Sequence, residues 1–374
     1  MALKLLFFHN SLPEYRIGLF KELNKQCDLD VLITSPDVYR EKYGFVTSNK
    51  QEFNCKFLGP GKKGIEQLKK ILLNISEYDA VELPPLDSVR EILIGKMIVN
   101  AAKKSHVKIG YFWEKWEAPL NKQPLKRKIK NHILRIVPKL IYRSADVFHA
   151  GGSMAKQYFV NNNIPEEKIT VIPDVSCVPE CEKINIREKY SIPDDKKLIL
   201  YFGRIIPQKG LDYLIKALAQ LDGDFFLLIA GDGEFKSACQ ALAKDLKLTN
   251  VNFCGAVNPQ IRKNFFEQCD IFVFPCTYRG GWVDVWGLTV NEAIQFNRPV
   301  VATESVGSAI DMIKNGVNGY RVAAEDESEL VKAIELICNL DRKSIVEYDE
   351  KMKQKYNFTY MANSIISSIE GVKK

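Results

Sequence analysis

The sequence predicts an α/β protein of two domains, each built on a parallel sheet, and three observations predict it. Short apolar runs of strand length alternate with helical patterns along almost the whole chain. That alternation stops once, between Pro173 and about Ile192, where Pro173, Pro179 and Pro193 gather with Cys177 and Cys181. And 374 residues are too many for one ordinary core but suit two. The expected division is a first domain at 1–178, a linker at 179–192, a second domain at 193–345 and a helical tail at 346–374.

In the first domain, strands are expected at 5–8, 29–34, 54–58, 80–83, 107–113, 146–149 and 169–172. Helices at 16–26, 65–75, 88–104 and 153–162 fall between them. Ligands on such sheets bind outside the carboxyl ends of the strands, here the loops 9–15, 84–87 and 113–119. In the second domain the strands are expected at 198–202, 225–230, 251–254, 271–275, 300–302 and 320–322. The tail is helical to about residue 369, and Tyr356, Phe358, Met361, Ile365 and Ile366 give it a face to bury.

The most informative stretch is 271–322. An apolar run at 271–275 suits a strand buried on both faces. A loop with Gly280, Gly281 and Gly287 follows, then a helix with Leu288, Val290, Ala293 and Ile294 on one side. Asn297 and Pro299 stop it. Two acids, Asp284 and Glu292, flank the start of that helix. Its first N–H groups lack intrahelical partners and carry the positive end of the dipole, so a phosphate can sit there. The two carboxylates can then accept hydroxyls on either side of a diphosphate, which is the layout of a sugar nucleotide. Two solvated acids in an ordinary βα unit fit the same pattern.

A second loop points the same way. After the strand 198–202 come Gly203, Arg204, Ile205, Ile206, Pro207, Gln208, Lys209 and Gly210. Two cations five positions apart on a glycine-flanked loop suit a diphosphate clamp, Arg204 binding oxygens bidentately and Lys209 acting as a point charge. A surface turn with incidental basic residues is the alternative. The chain has no Walker A sequence and no strand that opens into a dinucleotide fingerprint.

Hydrophobic content of 46% and charged content of 26% are those of a soluble globular protein, with no apolar stretch of membrane-spanning length. The opening MALKLLFFHN is too short in its apolar part for a secretory signal and reads as a strand. The nine scattered cysteines, with no histidine near the Cys177/Cys181 pair, argue against a zinc site and for a reducing, cytosolic compartment. The net charge of +7 is concentrated: residues 101–150 carry 12 basic and 3 acidic side chains. Lys122, Lys126, Arg127, Lys128, Lys130, Arg135, Lys139 and Arg143 alternate with Leu125, Ile129, Ile133, Leu134, Ile136, Val137, Leu140 and Ile141. This reads as a basic amphipathic helix or helix pair, broken near Pro138, suited to an anionic membrane surface. A surface helix packed on its own domain fits as well. The aromatic residues form no stacking platform, so nucleic acid is not expected as a partner.

Five segments now occur in order: GRIIPQKGLDYLIKALAQL, AGDGEF, VNFCGAV, FPCTYRGGWVDVWGLTVNEAIQFNRPVVAT and VGSAIDMIKNGVNGYRV. Together they resemble the family 4 retaining glycosyltransferases, and the WGLTVNEA form resembles the branch that builds surface polysaccharides and glycolipids. SLPEYRIGLFKEL near the start is similar to the opening of some members. The resemblance implies the GT-B fold, two Rossmann-like domains facing across a cleft with a C-terminal helix crossing back to the first.

It implies that Arg204 and Lys209 bind the donor diphosphate, with Gly203 at the head of their loop. Glu292 would hold the ribose, and amides near Gly287, Leu288 and Thr289 would cradle phosphate. Asp284 would contact the donor sugar, standing where most members carry a glutamate and one methylene shorter. Val257 would line the base pocket. Glu114 falls about where many members carry a histidine that touches the sugar. His149, at a strand end, reads as structural, and His9 is left open.

The function implied is transfer of a hexose from a UDP- or GDP-sugar to a lipid-linked or polysaccharide acceptor, without a metal or other cofactor, at the inner face of the plasma membrane. Lys122, Lys126, Arg127, Lys128, Lys130 and Arg135 would meet the membrane or acceptor. The alternatives are an inactive protein of the same fold serving as a membrane-associated assembly partner, and a dinucleotide oxidoreductase, which the missing glycine fingerprint disfavours.

Overall fold

The structure is a computed structural model and describes residues 2–36 and 52–372. The side chains of Ile133 and Leu134 also lie outside those described. The chain divides into two compact units, one of residues 1–115, 128–174 and 357–374, the other of residues 116–127 and 175–356.

The first unit holds β1 (Lys4–His9), β2 (Asp28–Ile33), β3 (Asn54–Phe57), β4 (Ala80–Leu83), β5 (Lys108–Trp113), β6 (Val147–Ala150) and β7 (Ile169–Val171). They form one parallel sheet in the order β3-β2-β1-β4-β5-β6-β7. The order reverses between β1 and β4, the place where such sheets bind ligands. Helices pack on it through apolar stripes. In Glu14–Gln26 the buried residues include Leu19, Phe20 and Leu23, and Phe20 meets Phe7 edge-on at 5.1 Å. Helix Val89–Lys104 starts cleanly because the Ser88 hydroxyl accepts from the Glu91 N–H at 3.2 Å.

The C-terminal helix Phe358–Gly371 belongs to this first unit, capped by Asn357 and burying Met361, Ala362, Ile365 and Ile369. Phe358 lies so close to Gly18 that a Cβ there would come within 2.3 Å of its ring.

The second unit holds β8 (Lys197–Phe202), β9 (Phe225–Ala230), β10 (Val251–Gly255), β11 (Ile271–Phe274), β12 (Val300–Thr303) and β13 (Gly319–Val322) in a second parallel sheet, order β10-β9-β8-β11-β12-β13. β8 is buried on both faces: Leu198 and Leu200 enter one core cluster, Ile199 and Tyr201 the other. Here the order reverses between β8 and β11.

Three segments sit where the sequence did not place them. Residues 116–127 are grouped with the second unit. Residues 179–192, expected as a linker, are integrated into that unit: Asn264 Nδ2 donates to the Glu182 carbonyl at 2.7 Å, and the Ile184 and Ile186 N–H groups donate to Asn264 at 3.0 Å and Gln268 at 2.9 Å. A proline-rich composition cannot distinguish a free tether from a strap whose backbone is satisfied by side chains. The tail begins with helix Arg342–Lys355 on the second unit before Phe358–Gly371 joins the first. Helix Leu125–Tyr142 is continuous through Pro138, so the expected break is absent. Proline inside a helix loses one hydrogen bond and costs about 3 kcal/mol, and here the helix runs on in spite of that cost.

Candidate functional site

The second unit builds its site from loops at the carboxyl ends of β8, β11 and β12. Gly203 donates its N–H to the Ala230 carbonyl at 3.0 Å, which starts the first loop against β9. The loop is then pinned at three backbone points. Tyr201 Oη donates to the Arg204 carbonyl at 2.8 Å, the Thr277 N–H to Gln208 O at 2.9 Å, and Arg279 Nη1 to Pro207 O at 3.0 Å. Arg279 is itself held by Asp212, Nη1 to Oδ1 at 3.0 Å. Arg204 therefore extends an exposed side chain from a fixed backbone.

Lys209, only 11% exposed, folds in beside Asp284 and forms an ion pair with it. Its ammonium lies over the Phe274 ring at 4.5 Å and the Trp282 ring at 5.2 Å. Burial pulls its pKa down, yet the charges around it, Asp284 foremost, leave it above the ordinary lysine range. Lys209 stays a cation in a site that would otherwise favour the neutral amine.

Asp284 reaches this position because its loop is stitched to the segment after β12. The Asp284 N–H donates to Ser305 O at 2.9 Å, and the Gly307 N–H donates back to Asp284 O at 3.0 Å. Gly287 then turns the chain at φ +86°, a conformation that favours glycine, and a Cβ there would lie 2.6 Å from Val306 Cγ1. Directly after it, helix Leu288–Gln295 begins. The buried Thr289 hydroxyl in its first turn has no hydrogen-bond partner among the described residues.

Glu292 sits 3% exposed on this helix, ion-paired to Arg262 from the helix Arg262–Gln268. Burial raises the Glu292 pKa, opposed by Arg262. Arg262 also lies over the Phe202 ring at 4.9 Å. Val257 packs half-buried against the same core cluster as Phe202.

Glu114 is in the first unit, just past β5. Arg16 is its partner, with Nη2 at 3.2 Å, and also bridges to Asp174 with Nη1 at 2.8 Å. Burial drives the Asp174 carboxyl well above the carboxylate range, while Arg16 and the Asp174 hydrogen bond hold Glu114 below it against burial. His9, at the end of β1, is 4% exposed with Nδ1 2.6 Å from the Ser11 carbonyl. Burial, helped by Arg16, lowers its pKa to about 4. His149 is wholly buried, with Nδ1 3.0 Å from Glu82 and Nε2 2.7 Å from Ser368 of the C-terminal helix, which fits the structural reading.

The basic segment divides by environment. Lys122 pairs with Glu325 at 3.0 Å and lies over Tyr278 at 6.0 Å, while the aliphatic stem of Arg127 packs near Gly281. Lys126, Lys128 and Lys130 are exposed and Arg135 is half-buried. Ile129, Ile136, Val137 and Leu140 of the same helix are exposed as well, at 42–69%.

The structure thus gathers Gly203, Arg204, Lys209, Asp284, Gly287, Leu288, Thr289 and Glu292 on the loops and helix start of one sheet edge. Sequence reasoning missed Arg262, Arg279 and Arg16, each the partner of an acid far away in the chain: Glu292, Asp212 and Glu114. The only available signal for Arg262 was Asn258-Pro259, whose side-chain cap at Gln260 N opens a short turn four residues ahead of it.

Two Rossmann-like parallel-sheet units with these loops define the GT-B fold. Residues 182–356 match the family Glycosyl transferases group 1. Over 209 residues the chain is 30% identical to an uncharacterised glycosyltransferase of Methanocaldococcus jannaschii, covering 53% of this chain and 52% of that protein. Over 132 residues it is 37% identical to a GDP-mannose-dependent monoacylated alpha-(1-6)-phosphatidylinositol monomannoside mannosyltransferase of Corynebacterium glutamicum, covering 34% of each. The chain thus spans about half or less of the length of these relatives. The crystal structure of Anabaena HepE in complex with UDP is similar in fold over 98% of this chain and 100% of that one, with a TM-score of 0.76 and 17% identity.

Proposed function

We propose that the protein is a retaining glycosyltransferase that moves a hexose from a UDP- or GDP-sugar to a lipid-linked or glycan acceptor. The observation that carries this reading is the buried Lys209–Asp284 pair, set beside a helix start that Gly287 opens and that Glu292 backs. A diphosphate suits the N–H groups of Leu288 and Thr289 together with Lys209 and Arg204. Hydroxyls on either side of it suit Asp284 and Glu292. The UDP in the HepE structure and the GDP-mannose of the corynebacterial relative's name support a sugar nucleotide and leave the base open.

In the proposed reaction the anomeric C–O bond to the diphosphate breaks, and the acceptor hydroxyl oxygen forms the new bond on the same face. Its proton passes to a phosphate oxygen of the leaving group. Negative charge grows on the diphosphate as the bond breaks, and preorganised cations lower that barrier. No side chain has to act as a nucleophile, and the charge is met by Lys209 and Arg204 without a metal. Glu114 is the first unit's proposed contact to sugar.

The acceptor is proposed to be membrane-linked because Lys126, Lys128 and Lys130 are exposed alongside Ile129, Ile136 and Leu140. No described helix is long and apolar enough to cross a membrane, so the proposed association is peripheral. The deciding experiment is a screen of sugar nucleotides for hydrolysis, with the melting temperature read against UDP, GDP and NAD. A rise with UDP or GDP and not with NAD is expected. A rise with NAD alone, or with none of them and no turnover, defeats the reading.

A further inference from the structure

The backbone of the acidic loop holds an arrangement that none of the motifs predicts. Its four consecutive carbonyls, from Asp284 to Gly287, are each fixed by a named donor. Asp284 O accepts from the Gly307 N–H at 3.0 Å, Trp286 O from the Ser308 N–H at 2.7 Å, and Gly287 O from Ser308 Oγ at 3.0 Å. Those three donors come from one turn, at the start of helix Gly307–Met312. The fourth carbonyl, Val285 O, accepts from none of these and is held instead by Trp116 Nε1 at 3.1 Å.

Trp116 comes from a stretch remote in sequence. Residues 116–127 are grouped with the second unit, although the chain on both sides belongs to the first. The stretch is built to stay there. Trp116 is 6% exposed and Gln123 is buried with Nε2 bonded to the Ala118 carbonyl at 2.5 Å. Lys122 pairs with Glu325. Two glycines admit it: a Cβ on Gly281 would meet Gln123 Cα at 3.3 Å, and one on Gly307 would lie 3.4 Å from Trp116 Nε1 and only 2.2 Å from Val285 O. The Val285 carbonyl is therefore lodged between the indole N–H and the bare Gly307 Cα, with little room to rotate.

We propose that Trp116 is a positioning residue for the donor loop: its indole N–H fixes the Val285–Trp286 peptide and so sets Asp284 against Lys209. The inference rests on the glycosyl-transfer reading of that loop. The one described hydrogen bond of Trp116 goes to the Val285 carbonyl. It acts through a backbone plane, and a misplacement of about 1 Å in such a group can cost about a hundredfold in rate.

Trp116→Phe tests it, because phenylalanine removes the N–H while keeping an aromatic ring in the pocket, at the cost of some packing volume. Wild-type turnover and the nucleotide-dependent melting shift are measured first. If the wild type shows neither, the glycosyl-transfer reading fails, and the inference with it. If the wild type is active, the variant is expected to melt within a few degrees of it and to bind UDP or GDP within about threefold, because Glu292 and the helix start are untouched. Its kcat for donor turnover is expected to fall about tenfold or more. Unchanged kcat in a folded Trp116→Phe protein overturns the inference while leaving the parent reading intact. A loss of kcat matched by an equal loss of nucleotide affinity, or recovered by cooling the assay, also overturns it, since either marks general destabilisation. Gly307→Ala crowds the same carbonyl from its other side and is expected to reproduce the kcat loss with nucleotide affinity retained. If it instead weakens nucleotide binding and leaves kcat alone, the peptide does not do what is proposed.

Discussion

Arg262 and Glu292, 30 positions apart in the chain, form an ion pair in which the glutamate is almost completely buried and the arginine is about one-third exposed. One is on the short helix after β10, the other on the helix after β11. A lone carboxylate at that depth would be expensive, and burial does raise the Glu292 pKa despite Arg262. Arg262→Met is expected to destabilise the protein by about 1–3 kcal/mol, less than for a fully buried pair because the arginine stays partly in water. Arg262→Met/Glu292→Gln should lose less than the two single variants added together. Urea denaturation of all four proteins measures the coupling, and strictly additive losses would contradict it.

Lys209 and Arg204 share a loop but not an environment, which separates their effects. Arg204→Ala removes an exposed side chain and is expected to change stability by less than about 0.5 kcal/mol. Lys209→Ala strips the partner from Asp284 and the cation from over Phe274 and Trp282, so it should lower the melting temperature clearly. Both should cut sugar-nucleotide turnover, each by about 100-fold if they stabilise the leaving diphosphate. If both variants keep wild-type turnover, the clamp is misassigned.

How much of this was legible in the sequence depended on whether a feature is local. Periodicity and glycine placement located both sheets and the turn at Gly287, because strand burial and a positive φ are properties of neighbouring residues. The spacing of Asp284 and Glu292 about the helix start was legible for the same reason. Their partners were not. Lys209 lies 75 positions from Asp284, and Trp116 lies 169 from Val285. Nothing in either local pattern encodes that meeting. The run at 179–192 misled because proline content reports what backbone is disallowed, not whether Asn264 and Gln268 wait to bond it. Pro138 misled in the opposite sense, because its local cost of about 3 kcal/mol says nothing of whether the rest of an 18-residue helix offsets it.

Gly287→Ala is expected to be damaging beyond what a methyl group suggests. The residue must hold φ +86°, and the new Cβ would press on Val306 at 2.6 Å. Left-handed strain alone costs about 1–2 kcal/mol, and overpacking adds about 1–3 kcal/mol. The helix start would also shift, so the melting shift produced by UDP or GDP should shrink. By contrast Gly280→Ala has a φ of +65° but nothing within 4 Å, and should cost only the backbone strain. Equal melting temperatures for the two variants would count against a packed turn at Gly287.

Asp349 gives a pH dependence that can be separated from the active loop. It is fully buried on helix Arg342–Lys355, where its Oδ1 accepts from Asn318 Nδ2 at 2.9 Å. The same Asn318 donates to the Met312 carbonyl at 3.1 Å. Burial raises the Asp349 pKa from 3.8 to about 7, against the pull of Asn318, Lys353 and Arg342. The folded protein therefore keeps this proton up to about pH 7, whereas the unfolded chain releases it near 3.8. Between those values the folded state binds more protons, so stability falls as pH rises. The contribution is full below the unfolded value and gone once pH has passed the folded one. Each pH unit in the window is worth up to about 1.4 kcal/mol. Asp349→Asn keeps the acceptor for Asn318 and cannot ionise, so its stability relative to the wild type should climb steadily from pH 4 to 7 and level off above that. Denaturant midpoints at half-unit steps would show it. A difference that stays flat across the window would mean that Asp349 is ionised in the folded protein, with water or Lys353 carrying the compensation.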